Sequence, residues 1–352
     1  MYKQLIQPAL FRMDPEYAHH FSTSILKKVH SFPGGDGLLK LMYDFQDTGL
    51  EREVFGLKFR NPIGLAAGFD KNAEMVDAMA SLGFGFVEIG TLTPLPQTGN
   101  PQPRLFRLSE DRSLINRLGF NNEGVEAAVR RLRSRSSGII VGGNIGKNKI
   151  TPNADAEKDY EICYEALYET VDYFTVNVSS PNTPDLRELQ EKEPLKKLLL
   201  HLIRLNREKP KAKPILLKIA PDLNEHQLSD IIEICLEIGI DGIIATNTTI
   251  ERSGLKTSKS TINTIGAGGL SGQAVRKQAT EVIRFLHRIS EGKLPIVGVG
   301  GVDSASHALE KLEVGASLVQ MYTGFVYEGP SVIKEINQAI LRQERSRSKA
   351  KE

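Results

Sequence analysis

The chain has 352 residues, and 45 Lys and Arg stand against 43 Asp and Glu, a formal net charge of +2. That balance excludes a global electrostatic drive toward nucleic acid. Its two cysteines, Cys163 and Cys235, exclude a disulfide framework or a multi-thiolate metal centre.

Residues 1–32 contain no secretory signal and no apolar run of the roughly 18 residues needed to cross a bilayer. They read as two short helices. The first carries Leu5, Ile6, Ala9, Leu10 and Met13. The second opens at Asp14-Pro15, an acidic cap followed by Pro at the first helical position. Ala18, Phe21, Ile25 and Val29 then fall on one face. Lys3, Arg12, Lys27 and Lys28 make the segment basic. Such a pair either docks on the main domain or lies in a membrane interface, and periodicity fits both. Residues 33–37, Pro-Gly-Gly-Asp-Gly, read as a linker.

From residue 54 onward strand and helix alternate. Apolar, often β-branched runs occur at 63–67, 86–89, 139–143, 173–178, 215–219, 242–245, 296–299 and 317–321. Helical patterns lie between them at 73–82, 124–132, 155–169, 194–204, 225–238, 271–289 and 304–312, with a last one at 330–341. About eight such units predict an α/β fold, a (β/α)8 TIM barrel over 51–341 with an N-terminal two-helix extension within 1–50. A doubly wound sheet is the alternative, and it seldom needs so many regular units. Residues 342–352 read as a basic, frayed tail. Arg130, Arg131, Arg133 and Arg135 read as a solvated helix face rather than a nucleic-acid site.

Functional groups of a barrel collect where its strands end. Lys71 follows the first strand, Thr91 the second, and Asn144 and Lys147 the third. Asn177-Val178-Ser179-Ser180-Pro181-Asn182-Thr183 follows the fourth. Lys218 ends the fifth strand and Thr246-Asn247-Thr248 the sixth. Gly298-Val299-Gly300-Gly301 ends the seventh, and Tyr322-Thr323-Gly324 follows the eighth. Glycines after the last two strands, with Thr323, suit close approach of backbone N–H groups to a phosphate. The other ends form a polar, cationic pocket with no Asp, Glu or His cluster. A phosphate-bearing organic cofactor is therefore expected, and no catalytic metal.

Several ordered motifs sharpen this reading. They are Ala66-Ala67-Gly68-Phe69-Asp70-Lys71, Asn116-Arg117-Leu118-Gly119-Phe120-Asn121-Asn122, and Asn144-Ile145-Gly146-Lys147-Asn148-Lys149. The Asn177–Thr183 segment, Gly268-Gly269-Leu270-Ser271-Gly272 and the glycines at 298–301 follow in order. Over nearly its whole length the chain resembles the dihydroorotate dehydrogenases, FMN enzymes of pyrimidine synthesis. Residues 10–19, Leu-Phe-Arg-Met-Asp-Pro-Glu-Tyr-Ala-His, resemble the membrane-associated, quinone-using class 2 members.

The resemblance implies oxidation of dihydroorotate to orotate, with FMN taking the hydride and a membrane quinone as final acceptor. Ser180 matches the catalytic base of class 2, where class 1 has cysteine. Lys71 would stabilise negative charge on the substrate, and Thr183 would help relay the proton. Asn116, Asn177, Asn182, Asn247 and Thr248, with Arg117, Leu118, Gly119 and Phe120, match orotate contacts. Ala66, Ala67, Gly68, Phe69 and Asp70, with Thr91, Asn144 and Asn177, match positions that contact FMN. So do Lys218, Thr246, Gly272, Gly301, Tyr322 and Thr323. Residues 183–190 would form a mobile lid. His19, Arg107 and Tyr322 match the inner end of a quinone slot. Peripheral association with the cytoplasmic side of a bacterial membrane is the expected location, with no nucleic-acid partner.

Three alternatives remain at this level. A class 1-like flavoprotein passing electrons to fumarate or NAD is disfavoured by Ser180 and the amphipathic N-terminus. A Schiff-base lyase would use Lys71 or Lys218 as its amine. A non-catalytic lipid-surface protein would not require the polar strand ends.

Overall fold

The computed structural model of the protein describes residues 2–349. Tyr2–Ile6 form a π-helical turn that runs into α1 (Gln7–Phe11). In α2 (Pro15–Ser31) the Asp14 carboxylate accepts the N–H groups of Glu16 and Tyr17, as its sequence predicts. The linker expected at 33–37 is corrected: a third helix, α3 (Gly35–Tyr43), begins inside it. Gly34, at φ +83°, takes the left-handed conformation that turns the chain between the two helices. The glycines punctuate a helical hairpin, and Leu39 of α3 is buried beneath it.

A hairpin of β1 (Arg52–Val54) and β2 (Leu57–Phe59) precedes β3 (Ile63–Leu65), α4 (Val76–Ser81) and β4 (Phe86–Leu92). Then come β5 (Leu105–Leu108), β6 (Ser113–Asn116), α5 (Val125–Arg133), β7 (Ile140–Ile145), α6 (Ala156–Leu167) and β8 (Tyr173–Asn177). They are followed by α7 (Lys192–Arg207), β9 (Ile215–Ile219), α8 (Glu225–Ile238), β10 (Gly242–Ala245), α9 (Lys259–Ile265), β11 (Gly269–Gly272) and α10 (Arg276–Ile289). The remaining elements are β12 (Ile296–Val299), α11 (Ala305–Glu313), β13 (Leu318–Met321), α12 (Thr323–Glu328) and α13 (Ser331–Lys349).

Eight parallel strands close into a barrel in the order β3, β4, β7, β8, β9, β10, β12, β13. Phe59, Phe86, Tyr173, Leu216, Ile244 and Leu318 fill a cluster inside it. Glycine makes the space for two of those rings. A Cβ on Gly64 would lie 2.3 Å from Phe86, and one on Gly142 would lie 2.1 Å from Tyr173. Phe59, brought in by the β1–β2 hairpin, packs edge-on to Phe86 with centroids 5.2 Å apart.

Outside the barrel, β5, β6 and β11 form an antiparallel sheet that the sequence reading does not foresee. Ser271 and Gly272 belong to this sheet, so the helix expected from residue 271 starts only at Arg276. The frayed tail expected at 342–352 is also corrected. α13 continues to Lys349, because Arg345 pairs with Asp47, Glu344 with Arg52, and Gln343 donates to Glu313. Residues 350–352 lie outside the described residues.

A buried ion pair helps to fasten the N-terminal helices to the barrel. The Glu16 carboxylate on α2 accepts two N–H groups of Arg104 at 2.7 and 3.0 Å and one from Gln102 at 3.2 Å. Both charged side chains are only 10% exposed. Burial opposes the charge, but the Arg104 hydrogen bonds and charge outweigh it and hold Glu16 below the usual carboxylate range. A lowered carboxylate stabilises docking above its unfolded value, and the contribution is lost as pH falls through the folded value. Replacing Glu16 with Ala leaves Arg104 buried without its carboxylate, at a cost on the order of 3 kcal/mol. Limited proteolysis of that variant is expected to cut within residues 1–43 much faster than in the wild type while the barrel core persists.

Candidate active site

The mouth of the barrel holds a cavity of about 1070 Å³, including its open entrance. Most of the residues singled out from sequence meet there. Ala66, Ala67, Gly68 and Lys71 line it after β3, and Thr91 lines it from β4. Asn116, Leu118, Gly119 and Phe120 enter from β6 and the loop behind it. Asn177, Ser180 and Asn182 come from the end of β8, and Lys218 from β9. Thr246, Asn247 and Thr248 follow β10, and Gly272, Gly301, Tyr322 and Thr323 complete the wall.

Five of the expected residues are placed elsewhere. Asp70 accepts the N–H groups of Glu74 and Met75, both at 2.8 Å, and so shapes the turn before α4. Burial raises its carboxyl to about 6. Phe69 turns away and packs edge-on against His19, Tyr322 and Phe325. Arg117 points outward, donating to the carbonyls of Ile265, Ala267 and Pro103. Asn144 sits behind the wall, where its oxygen accepts the Thr91 hydroxyl at 2.6 Å. Thr183 is buried just beyond the lining. The 183–190 segment is pinned by Arg187, which pairs with Asp222 and donates to the carbonyls of Ser179 and Thr248.

Two residues of the site escape sequence reasoning. Glu88, fully buried in β4, accepts from Asn144 at 2.8 Å and from Gln320 at 2.8 Å. Its other neighbours are Lys218 Nζ and the Tyr173 hydroxyl, both at 3.4 Å. Gln320 lines the cavity. The available signal is a lone carboxylate or amide within an apolar strand, in Phe-Val-Glu-Ile and Leu-Val-Gln-Met.

The lining suits an anionic, hydrogen-bonding ligand. Among the described residues it includes Lys71 and Lys218 and no carboxylate. Gln320 Oε1 is a buried acceptor without a partner, which leaves a place for a ligand donor. At one end three backbone segments press together. A Cβ on Gly272 would lie 2.5 Å from the Arg112 carbonyl, one on Gly301 2.3 Å from Arg276, and one on Gly324 1.9 Å from the Val302 carbonyl. Gly300 and Gly301 have φ of +116° and +73°. Only glycine allows so close a backbone cradle, the arrangement that phosphate groups favour.

Lys71 donates to the Gly68 carbonyl at 2.8 Å. Burial lowers its ammonium to about 8, against the opposing charge of Glu16. Ser180 is buried, and its Oγ accepts the Asn182 N–H at 3.2 Å. A donor to that oxygen favours negative charge on it.

A second, largely apolar cavity of about 1440 Å³ lies between the N-terminal helices and the barrel. His19, Phe21, Ile25, Val29 and Arg107 line it. Burial drives the His19 imidazole down to about 3, so the ring is neutral. Arg107 donates to the carbonyls of Met13 at 2.7 Å and Leu10 at 3.2 Å, closing the end of α1, and lies 4.8 Å over the Phe11 ring. Its guanidinium is thus a helix cap as well as a lining group. Leu105, Leu114 and Tyr322 line both cavities, so the two share a wall.

A sequence profile described as "Dihydroorotate dehydrogenase" matches residues 49–343. The chain belongs to the dihydroorotate dehydrogenase family. A relative from Christiangramia forsetii, named dihydroorotate dehydrogenase (quinone), is 59% identical over 343 residues, covering 97% of this chain and 99% of that one. One of the same name from Idiomarina loihiensis is 46% identical, covering 94% and 98%. The crystal structure of an Eimeria tenella DHODH in complex with ferulenol superimposes with a TM-score of 0.86 at 35% identity, covering 95% of this chain and 93% of that one. Dihydroorotate dehydrogenases oxidise dihydroorotate in pyrimidine synthesis and are flavin-dependent. In such an enzyme the glycine cradle is a sensitive position. Replacing Gly301 with Ala drives a methyl group into Arg276 at a positive φ and is expected to cost about 2 kcal/mol. Thermal denaturation should show a lower Tm, and absorbance should show less flavin per polypeptide.

Proposed function

We propose that the chain carries FMN in the mouth cavity, oxidises dihydroorotate there, and passes the electrons to a membrane quinone admitted through the apolar slot. The observation that carries this reading is the shared wall of Leu105, Leu114 and Tyr322 between a polar, cationic cavity and an apolar one. An anionic substrate and a lipid-soluble oxidant need such different environments, yet their electron exchange needs a short path.

The residues to hold FMN are Ala66, Ala67, Gly68, Thr91, Lys218, Thr246, Gly272, Gly301, Tyr322 and Thr323, with Asn144 steadying Thr91 from behind. Bound there, FMN would supply the hydride acceptor. Asn116, Asn177, Asn182, Asn247 and Thr248 would orient the substrate, because each amide offers a donor and an acceptor to the ring edge. Ser180 Oγ would take the C5 proton as the C6 hydride departs. A free serine is a weak base, so its help matters. The Asn182 N–H donates to Oγ, and the Lys71 ammonium would balance negative charge on the substrate. Thr183 would pass the proton outward.

In the slot, His19 and Arg107 are the polar groups to meet a quinone carbonyl. The neutral imidazole can donate without bringing a charge into an apolar site. Around it, Phe21, Ile25, Val29, Phe32, Leu38 and Leu41 leave large apolar surface exposed on α2, α3 and their connection. Among the described residues no helix is long and apolar enough to cross a membrane. The exposed rim supports peripheral attachment by this helical hairpin, on the cytoplasmic side of a bacterial membrane.

Ser180→Ala is expected to slow anaerobic flavin reduction by dihydroorotate on the order of 10²-fold or more, with FMN content unchanged. Stopped-flow absorbance checks this, and rapid reduction would remove Ser180 from the base role. Lys71 is charged below about 8 and neutral above it. Orotate affinity should therefore fall as pH rises through about 8. The Lys71→Met variant should bind orotate weakly and without that pH limb, as read by flavin difference spectra.

A further inference from the structure

Glu88 has no role in the chemistry assigned above, yet its contacts converge on the cofactor cavity. Its carboxylate oxygens meet Asn144 Nδ2 and Gln320 Nε2 at 2.8 Å, and Lys218 Nζ and the Tyr173 hydroxyl at 3.4 Å. Lys218 and Gln320 line the cavity, and Asn144 holds the lining residue Thr91. Three of these partners, two amide N–H groups and an ammonium, can only donate, and the Tyr173 hydroxyl is placed to donate as well. That is the complement of an ionised carboxylate, which only accepts. The surroundings exclude water, so a negative charge 3.4 Å from Lys218 strongly offsets the field of that ammonium. We infer that Glu88 is a positioning residue that fixes Lys218 and sets the net charge it presents to the bound flavin, and with it the reduction potential.

This rests on reading the mouth cavity as the FMN site. Two-electron reduction leaves the flavin ring more negative. Lys218 favours that change, and Glu88 behind it moderates the pull. The residue would thus keep the flavin reducible by dihydroorotate without trapping the electrons that the second acceptor must collect. A carboxylate kept for packing alone would be replaced by an amide with no electrical consequence.

The test is the midpoint potential of the bound flavin, measured in the holoenzyme by equilibrium reduction against reference dyes. Glu88→Gln should favour the reduced flavin about tenfold, a rise of about 30 mV for a two-electron couple. The two charges add at the flavin, so Lys218→Met should lower the potential, and the Glu88→Gln, Lys218→Met double variant should lie between the two single variants. Glu88→Asp keeps the charge but draws it back by a methylene, so it should give a smaller rise. It decides the matter if the Gln variant does not hold flavin. A potential equal to or below wild type in Glu88→Gln or in Glu88→Asp overturns the inference. A wild-type protein that neither contains nor takes up FMN would instead refute the reading of the cavity itself.

Discussion

The buried carboxylate of Glu88 is the constraint on which the interior of the barrel mouth depends. A charge with no exposure to water must be met by donors, and here they come from four other strands of the barrel: Asn144 on β7, Tyr173 on β8, Lys218 on β9 and Gln320 on β13. Satisfying one group therefore fixes Lys218 and Gln320, which line the cavity, and Asn144 behind its wall. From Asn144 the order spreads to Thr91 and Asn177, each held by a hydrogen bond of 2.6 or 2.8 Å. Below this polar layer Phe59, Phe86 and Tyr173 fill the barrel, so the mouth is the part left open.

The N-terminal unit obeys a different logic. It is held at its inner end by Glu16 on Arg104, by Arg107 on the end of α1, and by the Tyr2 hydroxyl on the Val326 carbonyl at 2.6 Å. Its outer face keeps Phe32 and Leu41 largely in solvent. Polar contacts thus seat the helices against the barrel, and the apolar surface they leave uncovered surrounds the slot. Tyr322 stands where the two regions meet, with its ring edge-on to Phe69 and its residue at the start of α12.

The barrel was legible because parallel strands buried on both faces read as short apolar runs, and all eight such runs are barrel strands. The sheet of β5, β6 and β11 was not, because its four-residue strands mix Arg107, Asn116 and Ser271 with apolar neighbours. α3 was hidden by its opening glycines, and the end of α13 by a polar composition that is held through ion pairs from distant segments. In the site, position at a strand end located most lining residues. Direction was another matter: neighbours Gly68, Phe69, Asp70 and Lys71 serve a cavity wall, the apolar slot, a turn and the cavity again. Glu88 and Gln320 could not be assigned because periodicity does not tell which side of a doubly buried strand faces inward.

The most direct test of the central claim follows the flavin through both half-reactions in the purified protein. Dihydroorotate is added without oxygen, and the reduced flavin is then mixed separately with a short-chain quinone, fumarate and NAD. Dihydroorotate is expected to bleach the flavin band, and the quinone alone to return the colour rapidly. Failure of dihydroorotate to bleach the flavin, or reoxidation by fumarate or NAD as fast as by quinone, would contradict this.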